Sequence, residues 1–260
     1  MLLSGSVCGQ AGIPKDSITA VLRATPSFSI YKDNYFITGI PMDQKTTIHN
    51  ADIKMQISFK QRLTNAVLPF KSYLFLTYTQ LSFWKIYQKS SPFSETIFNP
   101  GLGLGKFVFK DKRQIGIIGL QIEHQSNGKD SAYSRSWNFI SVSYMAYLTH
   151  NKTLLVKTWI PFSVDDNPDL MNYIGYGELT FTWEIFKNKL LMNATIRKGD
   201  QLDLKGSFQA GLYYNPLKNS NQYLYLQIYD GYAENLINYN ELTNMVRVGI
   251  CIRPAVMIFL

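Results

Sequence analysis

The 260-residue chain contains three histidines, at positions 49, 124 and 150, and one of them has neighbours that could do chemistry. His124 lies in Gln121-Ile122-Glu123-His124-Gln125-Ser126-Asn127-Gly128. Ile118, Leu120, Ile122, His124 and Ser126 share one parity, while Gly119, Gln121 and Glu123 share the other. On a strand, residues two apart lie on one face, about 7 Å apart at the backbone. Their side chains can close that gap to a hydrogen bond. The next run, Ser134-Arg135-Ser136-Trp137-Asn138-Phe139-Ile140-Ser141-Val142, carries Asn138 on the parity of Ile140, Val142 and Tyr144. A hairpin centred near Ser131 puts Asn138 opposite His124. The carboxamide oxygen of Asn138 would then accept from imidazole Nδ1–H, fixing the tautomer and leaving Nε2 free to take the Ser126 proton. That is a nucleophile, a base and an orienter, with a neutral amide where a carboxylate often stands. Singly, a histidine near a strand end is more often a rim or loop residue, and a serine beside it is usually inert. These three stand out because they converge on a face that is otherwise apolar.

Such a face must be made by the elements around it. The chain is 46% hydrophobic and 14% aromatic, with 17 Tyr, 16 Phe and 4 Trp, but only 17% charged. An ordinary soluble domain carries about 25% charged residues. Disorder needs low hydrophobicity and high charge. No uncharged apolar run reaches the roughly 18 residues of a transmembrane helix. The two cysteines, Cys8 and Cys251, are too few for a disulfide scaffold or a Cys-rich zinc site. Net charge is +8, but Lys and Arg are scattered singly. That distribution fits a solvated surface or anionic lipid headgroups better than nucleic acid. A chain can still be membrane-embedded if it crosses as strands with one apolar face.

Period-2 patterning supports this. Val246, Val248, Ile250 and Ile252 alternate with Arg247, Gly249, Cys251 and Arg253, and Leu179, Phe181, Trp183 and Ile185 alternate with Glu178, Thr180, Thr182 and Glu184. About twelve such segments are legible, near 26–40, 51–62, 71–86, 95–109, 113–125, 134–148, 153–163, 174–187, 189–199, 203–215, 221–233 and 241–253. A soluble sandwich also alternates. Two details favour a barrel: the segments are longer than the usual 5–6 residues, and aromatics sit near their ends. Phe186, Tyr213, Tyr214, Tyr223 and Tyr229 are assigned to interfacial girdles on that basis. The expected fold is all-β, a twelve-stranded antiparallel transmembrane β-barrel over residues 26–260. Residues 1–25 read as an N-terminal tail, a residual signal or a periplasmic segment. Met1–Val7 lacks the basic start and apolar length of a secretory signal, so the true start stays open.

His124-Gln125-Ser126-Asn127-Gly128 followed by Ser134-Arg135-Ser136-Trp137-Asn138 resembles the active-site signature of bacterial outer-membrane phospholipase A. Further similar segments are Tyr78-Thr79-Gln80, Ser90-Ser91-Pro92-Phe93 with Glu95-Thr96, Asp165-Asp166-Asn167-Pro168-Asp169, and Gly231 to Asn240. The likeness runs from about Phe28 to the C-terminus. It implies a twelve-stranded barrel of the Gram-negative outer membrane. It also implies Ca²⁺-dependent hydrolysis of phospholipid acyl esters (A1 and A2 positions, and lysophospholipids) by a homodimer. Ser126 would be the nucleophile, His124 the base and Asn138 the orienter.

By the same resemblance, calcium would sit beside the serine at a dimer interface. Its ligands would be the Ser134 hydroxyl, the Lys129 backbone carbonyl and a Ser90 carbonyl from the partner chain. The family usually has Arg where Lys129 stands, a change a carbonyl ligand tolerates. Asp166 matches a residue tied to a second calcium position, but the family's neighbouring Asp is Ser131 here, with Asp130 one place earlier, which puts that site in doubt. Gln80 matches a polar dimer contact. A hard cation with oxygen ligands suits an ester oxyanion. The alternative is a non-catalytic barrel, a pore or structural protein. An inward set with Glu123, Gln121, Glu178, Glu184 and Arg197 could fill a small lumen by pairing, and a pore has no need of His124, Ser126 and Asn138. By parity Cys251 is a small inward residue of the last strand.

Overall fold

The computed structural model describes residues 18, 22, 25–64, 67–111, 113–217 and 220–253. Most of the tail expected over residues 1–25 therefore lies outside the described residues, as do Cys8 and residues 254–260. The described chain is a run of antiparallel strands: β1 (Phe28–Ile30), β2 (Asn34–Pro41), β3 (Asp52–Arg62), β4 (Ser72–Trp84), β5 (Phe93–Lys110), β6 (Arg113–Ser126), β7 (Ser136–Thr149), β8 (Lys152–Phe162), β9 (Gly177–Phe186), β10 (Leu190–Lys198), β11 (Gly206–Tyr214), β12 (Gln222–Gly231) and β13 (Thr243–Ile252). Each pairs with its sequence neighbour from β2 onward, and β13 pairs with β2, so the sheet closes into a barrel of twelve staves. Closure removes the unpaired edges that hydrocarbon would punish.

β1 and β2 together make the first stave. β1 pairs with β3 as Phe28↔Gln61 to Ile30↔Phe59, and β2 resumes as Tyr35↔Gln56 to Gly39↔Asp52. Side chains bridge the break. Asn34 Oδ1 accepts from Ser58 N at 2.6 Å, and Ser58 Oγ accepts from Lys32 N at 3.1 Å. The break lets Tyr31, whose hydroxyl donates to Gln121 Oε1 at 3.1 Å, and Asp33 reach the interior.

Alternation decides what faces lipid. Ile118, Leu120, Ile122, Ile140, Val142, Leu179, Ile196, Phe208, Leu212, Leu224, Leu226, Val248 and Ile250 are exposed on the outer wall. Their neighbours turn inward. At the end with short turns (150–151 and 187–189), Tyr73, Phe75, Phe107, Ile117 and Met145 close the interior with Ile18 and Leu22. At the end with longer loops, Trp137, Phe139 and Trp159 pack with Leu170, Met171, Ile174 and Tyr239. Several charged residues between them are paired. Glu123 accepts from Lys157 at 2.6 Å, and Arg247 bridges Asp52 at 2.8 Å and Glu234 at 2.6 Å, with Lys54 also on Glu234 at 2.9 Å. A cavity of about 380 Å³ remains among them.

The girdle assignment is corrected for three tyrosines. Phe186 and Tyr214 are exposed outside, but Tyr213 and Tyr229 are buried inside the barrel, and Tyr223 packs against that interior cluster. The reason is their hydroxyls. Tyr213 Oη donates to Asp33 Oδ2 at 2.9 Å and accepts from Asn193 Nδ2 at 2.9 Å, while Tyr229 Oη donates to the Tyr232 carbonyl at 2.5 Å. A lipid-facing rim would leave such partners out of reach. Cys251 is inward and 1% exposed, packed with Tyr213 and Tyr225.

Candidate active site

β6 and β7 form a hairpin whose register pairs His124 with Asn138 and Ser126 with Ser136. All four are half-buried on the outer wall, at the end with the longer loops. His124 Nδ1 and Asn138 Oδ1 are 2.9 Å apart. With the proton on Nδ1, Asn138 accepts and Nε2 keeps its lone pair. Ser126 lies two residues along the same face.

The ladder between β5 and β6 is interrupted beside this site. Phe98 pairs with Ser126 and Gly101 with Glu123, but Asn99 and Pro100 make no ladder pair with Gln125 and His124. Proline has no N–H to give. The Asn99 side chain substitutes, its Nδ2 donating to the His124 carbonyl at 2.9 Å.

The turn after Ser126 is organised by Asn127, which is 4% exposed. Its Oδ1 accepts from Lys129 N at 3.2 Å and Arg135 N at 3.1 Å, and its Nδ2 donates to the Tyr133 carbonyl at 2.9 Å and Glu95 Oε1 at 3.2 Å. Gly128 follows at φ 64°, a left-handed conformation that glycine adopts freely. A Cβ there would come within 3.0 Å of the Phe98 ring.

The residues implied for calcium fall into two groups. Ser134, at the foot of β7, donates to Asp166 Oδ2 at 2.6 Å, and Ser136 donates to the same oxygen at 2.9 Å. Asp166 thus stands beside Ser136, the cross-strand partner of Ser126. Those two hydroxyl hydrogen bonds hold its carboxyl below the usual carboxylate range. Lys129 lies in the same turn, and its Nζ donates to the Ser94 carbonyl at 2.9 Å. Ser90 is apart from these, exposed in the β4–β5 loop. Among the described residues, no three His, Cys, Asp or Glu cluster as a metal site. The Ser134 hydroxyl, Lys129 carbonyl and Asp166 carboxylate are all hard oxygen donors, which suits calcium rather than zinc. Because Ser134 gives its one hydrogen to Asp166, its lone pairs stay free for a cation.

Sequence reasoning missed Asn99, Asn127, Ser136 and the structural part of Glu95. The dipeptide Asn99-Pro100 was the available signal for the first. The others depend on partners distant in sequence.

The sequence model of one family, described as Phospholipase A1, matches residues 22–252. The chain belongs to the phospholipase A1 family. The Phospholipase A1 of Escherichia coli K12 is 35% identical over 209 residues, 76% of this chain and 68% of that protein. An active-site mutant of outer membrane phospholipase A from E. coli, with one asparagine changed to alanine, has TM-score 0.79 at 28% identity, covering 91% of this chain and 97% of that one. The Salmonella typhi outer membrane phospholipase, solved as a dimer with bound calcium, gives TM-score 0.79 at 30% identity over the same shares. As a phospholipase A1-family barrel, this chain is an enzyme of the Gram-negative outer membrane.

Proposed function

We propose that this outer-membrane phospholipase cleaves phospholipid acyl esters with Ser126 as nucleophile, His124 as general base and Asn138 as orienter, in a calcium-dependent reaction of a dimer. The observation that carries the reading is the 2.9 Å contact between His124 Nδ1 and Asn138 Oδ1 on the lipid-facing wall. An imidazole held in one tautomer beside a serine has no purpose in a structural barrel. Inside the barrel Lys157 pairs with Glu123, and Arg247 and Lys54 pair with Asp52 and Glu234, which speaks against a pore.

In this mechanism Ser126 Oγ attacks the ester carbonyl carbon while His124 Nε2 takes the hydroxyl proton. The bond to the glycerol oxygen breaks, and the imidazolium returns the proton to that oxygen, releasing a lysolipid. Water then attacks the acyl-serine carbonyl, giving a proton to His124 Nε2; the bond to Ser126 Oγ breaks, the imidazolium returns the proton to that oxygen, and the fatty acid leaves. Asn138 orients the imidazole throughout but, being neutral, adds little charge stabilisation. Calcium, when bound by Ser134 Oγ and the Lys129 carbonyl, supplies positive charge against the ester oxyanion. Asp166 polarises Ser134 and adds the negative charge that draws a cation to this corner. Ser90 of a second copy would complete the ligand set, consistent with the calcium-bound dimer of the S. typhi relative. Hydrolysis at both acyl positions and of lysophospholipids belongs to the same reading. The active end carries the longer loops, which in outer-membrane barrels face the cell exterior, so the lipid would arrive laterally from the outer leaflet.

The test is phospholipid hydrolysis by refolded protein with calcium and with chelator, beside Ser126→Ala and His124→Ala. Each substitution should lower turnover by about 10³-fold or more. Wild type inert with calcium present, or Ser126→Ala fully active, would overturn the mechanism. Crosslinking should trap more dimer when calcium and a substrate-like lipid are both present; an unchanged yield counts against Ser90 reaching across.

A further inference from the structure

The turn that follows Ser126 is held from behind by a carboxylate that makes no ion pair among the described residues. Glu95 points into the barrel from β5 and is 2% exposed. The ion pairs among the described residues use Asp33, Asp52, Glu123, Asp203 and Glu234, and none uses Glu95. Its two oxygens serve two neutral donors instead. Oε1 accepts from Asn127 Nδ2 at 3.2 Å, and Oε2 accepts from the backbone N–H of Leu236 at 2.8 Å.

Burying a carboxylate without a cation is costly. A group kept at that cost should do something a neutral side chain cannot. Glutamate offers two acceptors to two separate donors, whereas glutamine of the same shape must turn an –NH₂ toward one of them. Asn127 is equally committed, with both amide hydrogens and its oxygen engaged within the turn and on Glu95. Asn127 is covalently next to Ser126, and its turn carries the Lys129 carbonyl and Ser134. Leu236 belongs to the 232–242 loop, whose Glu234 is anchored inside the barrel by Lys54 and Arg247.

We propose that Glu95 is a positioning residue for hydrolysis: through Asn127 it sets the 127–135 turn and thereby Ser126, and through Leu236 it makes that setting depend on the docked 232–242 loop. The inference rests on the catalytic part given to Ser126. It accounts for a buried acid, in no ion pair among the described residues, placed between the reactive turn and the loop that fills the barrel.

Kinetics of the full chain, refolded in mixed micelles at saturating calcium, test it. Folded protein is separated from unfolded by its gel migration without boiling. Glu95→Gln should lower kcat about tenfold with little change in KM. Asn127→Asp sets two carboxylates face to face and should lower kcat about a hundredfold, the scale of a 1 Å misplacement. Combining the two substitutions reverses the hydrogen bond, the new amide donating to the new carboxylate while still accepting from Leu236, although the Tyr133 carbonyl, which accepts from Asn127 Nδ2 at 2.9 Å, stays without its donor. That double variant should regain about tenfold in kcat over Asn127→Asp, a rescue that general loosening of the barrel would not produce. The proposal is overturned if Glu95→Gln keeps wild-type kcat, or if the double variant is no better than Asn127→Asp. If Asn127→Asp does not fold, Glu95→Gln against wild type decides alone. Ser126→Ala in the same series separates the two readings. If it matches wild type, the assignment of the nucleophile fails. If it is inactive while Glu95→Gln is unimpaired, only the positioning part of Glu95 fails.

Discussion

In the proposed mechanism a neutral residue orients the imidazole, and that has a measurable consequence. Asn138 would fix the His124 tautomer through one hydrogen bond of 2.9 Å, with no charge to stabilise an imidazolium. Asn138→Ala should therefore lower kcat by about a hundredfold, less than the roughly 10⁴-fold seen when a buried triad carboxylate is neutralised. Asn138→Asp should stay active. Because the site is half-buried on the outer wall, the unfolding free energy of Asn138→Ala should stay within about 0.5 kcal/mol of wild type. Steady-state kinetics paired with denaturant titration check both statements, and equal turnover by Asn138→Ala and wild type would refute the orienting part. His124, Ser126 and Asn138 were legible in the sequence because parity and one hairpin centre suffice to bring them together. Glu95 and Asn127 were not, since Glu95 meets Leu236 across 141 residues. No local pattern announces such a contact.

At the level of elements, the twelve staves were readable almost residue by residue, because a wall between lipid and a filled interior forces strict alternation. What alternation could not show is where the ladder gives way. Pro100 takes the N–H out of β5 beside His124, and Asn99 replaces it with a side-chain amide. Asn99→Ala should leave the His124 carbonyl without that donor, costing about 1–2 kcal/mol of stability. Turnover should fall several-fold, because the strand that carries the imidazole loses a tie. Calorimetry in detergent and kinetics on the same sample measure the two effects. An unchanged melting temperature would mean the carbonyl had found another partner.

Over the whole molecule, ion pairs and packed rings occupy the two ends and much of the middle of the interior. The sequence showed inward charges but not their pairing. Tyr213, Tyr223 and Tyr229 were misassigned because the girdle reading went by nearness to strand ends, whereas the parity of Phe208, Leu212 and Tyr214 and of Leu224, Leu226 and Ile228 already turns them inward. Arg247 is the centre of the network, touching Asp52 and Glu234. Arg247→Met should destabilise the barrel by about 3–5 kcal/mol, because two carboxylates lose their main counter-ion. The pH dependence follows from Glu234. Burial raises its pKa, but Arg247 and Lys54 outweigh this and bring it down to about 2. Since the folded value is depressed, the stabilisation is fully present above the ordinary glutamate value near 4.3 and is lost as pH falls toward about 2. Acid unfolding followed by tryptophan fluorescence should show that loss, and Glu234→Gln should abolish it.

His124, Ser126 and Asn138 lie on the outside of the wall, and if they are the active site proposed above, this governs what the enzyme counts as concentration. A lumenal site would sample molecules per volume of water. This one samples molecules per area of leaflet. Diluting a phospholipid with inert detergent inside each micelle should slow the reaction in proportion to mole fraction, while adding more micelles of fixed composition should leave the saturated rate unchanged. The rate is then set by how crowded the outer leaflet is with cleavable lipid, so a membrane whose composition is disturbed would feed the enzyme without any change in the amount of protein.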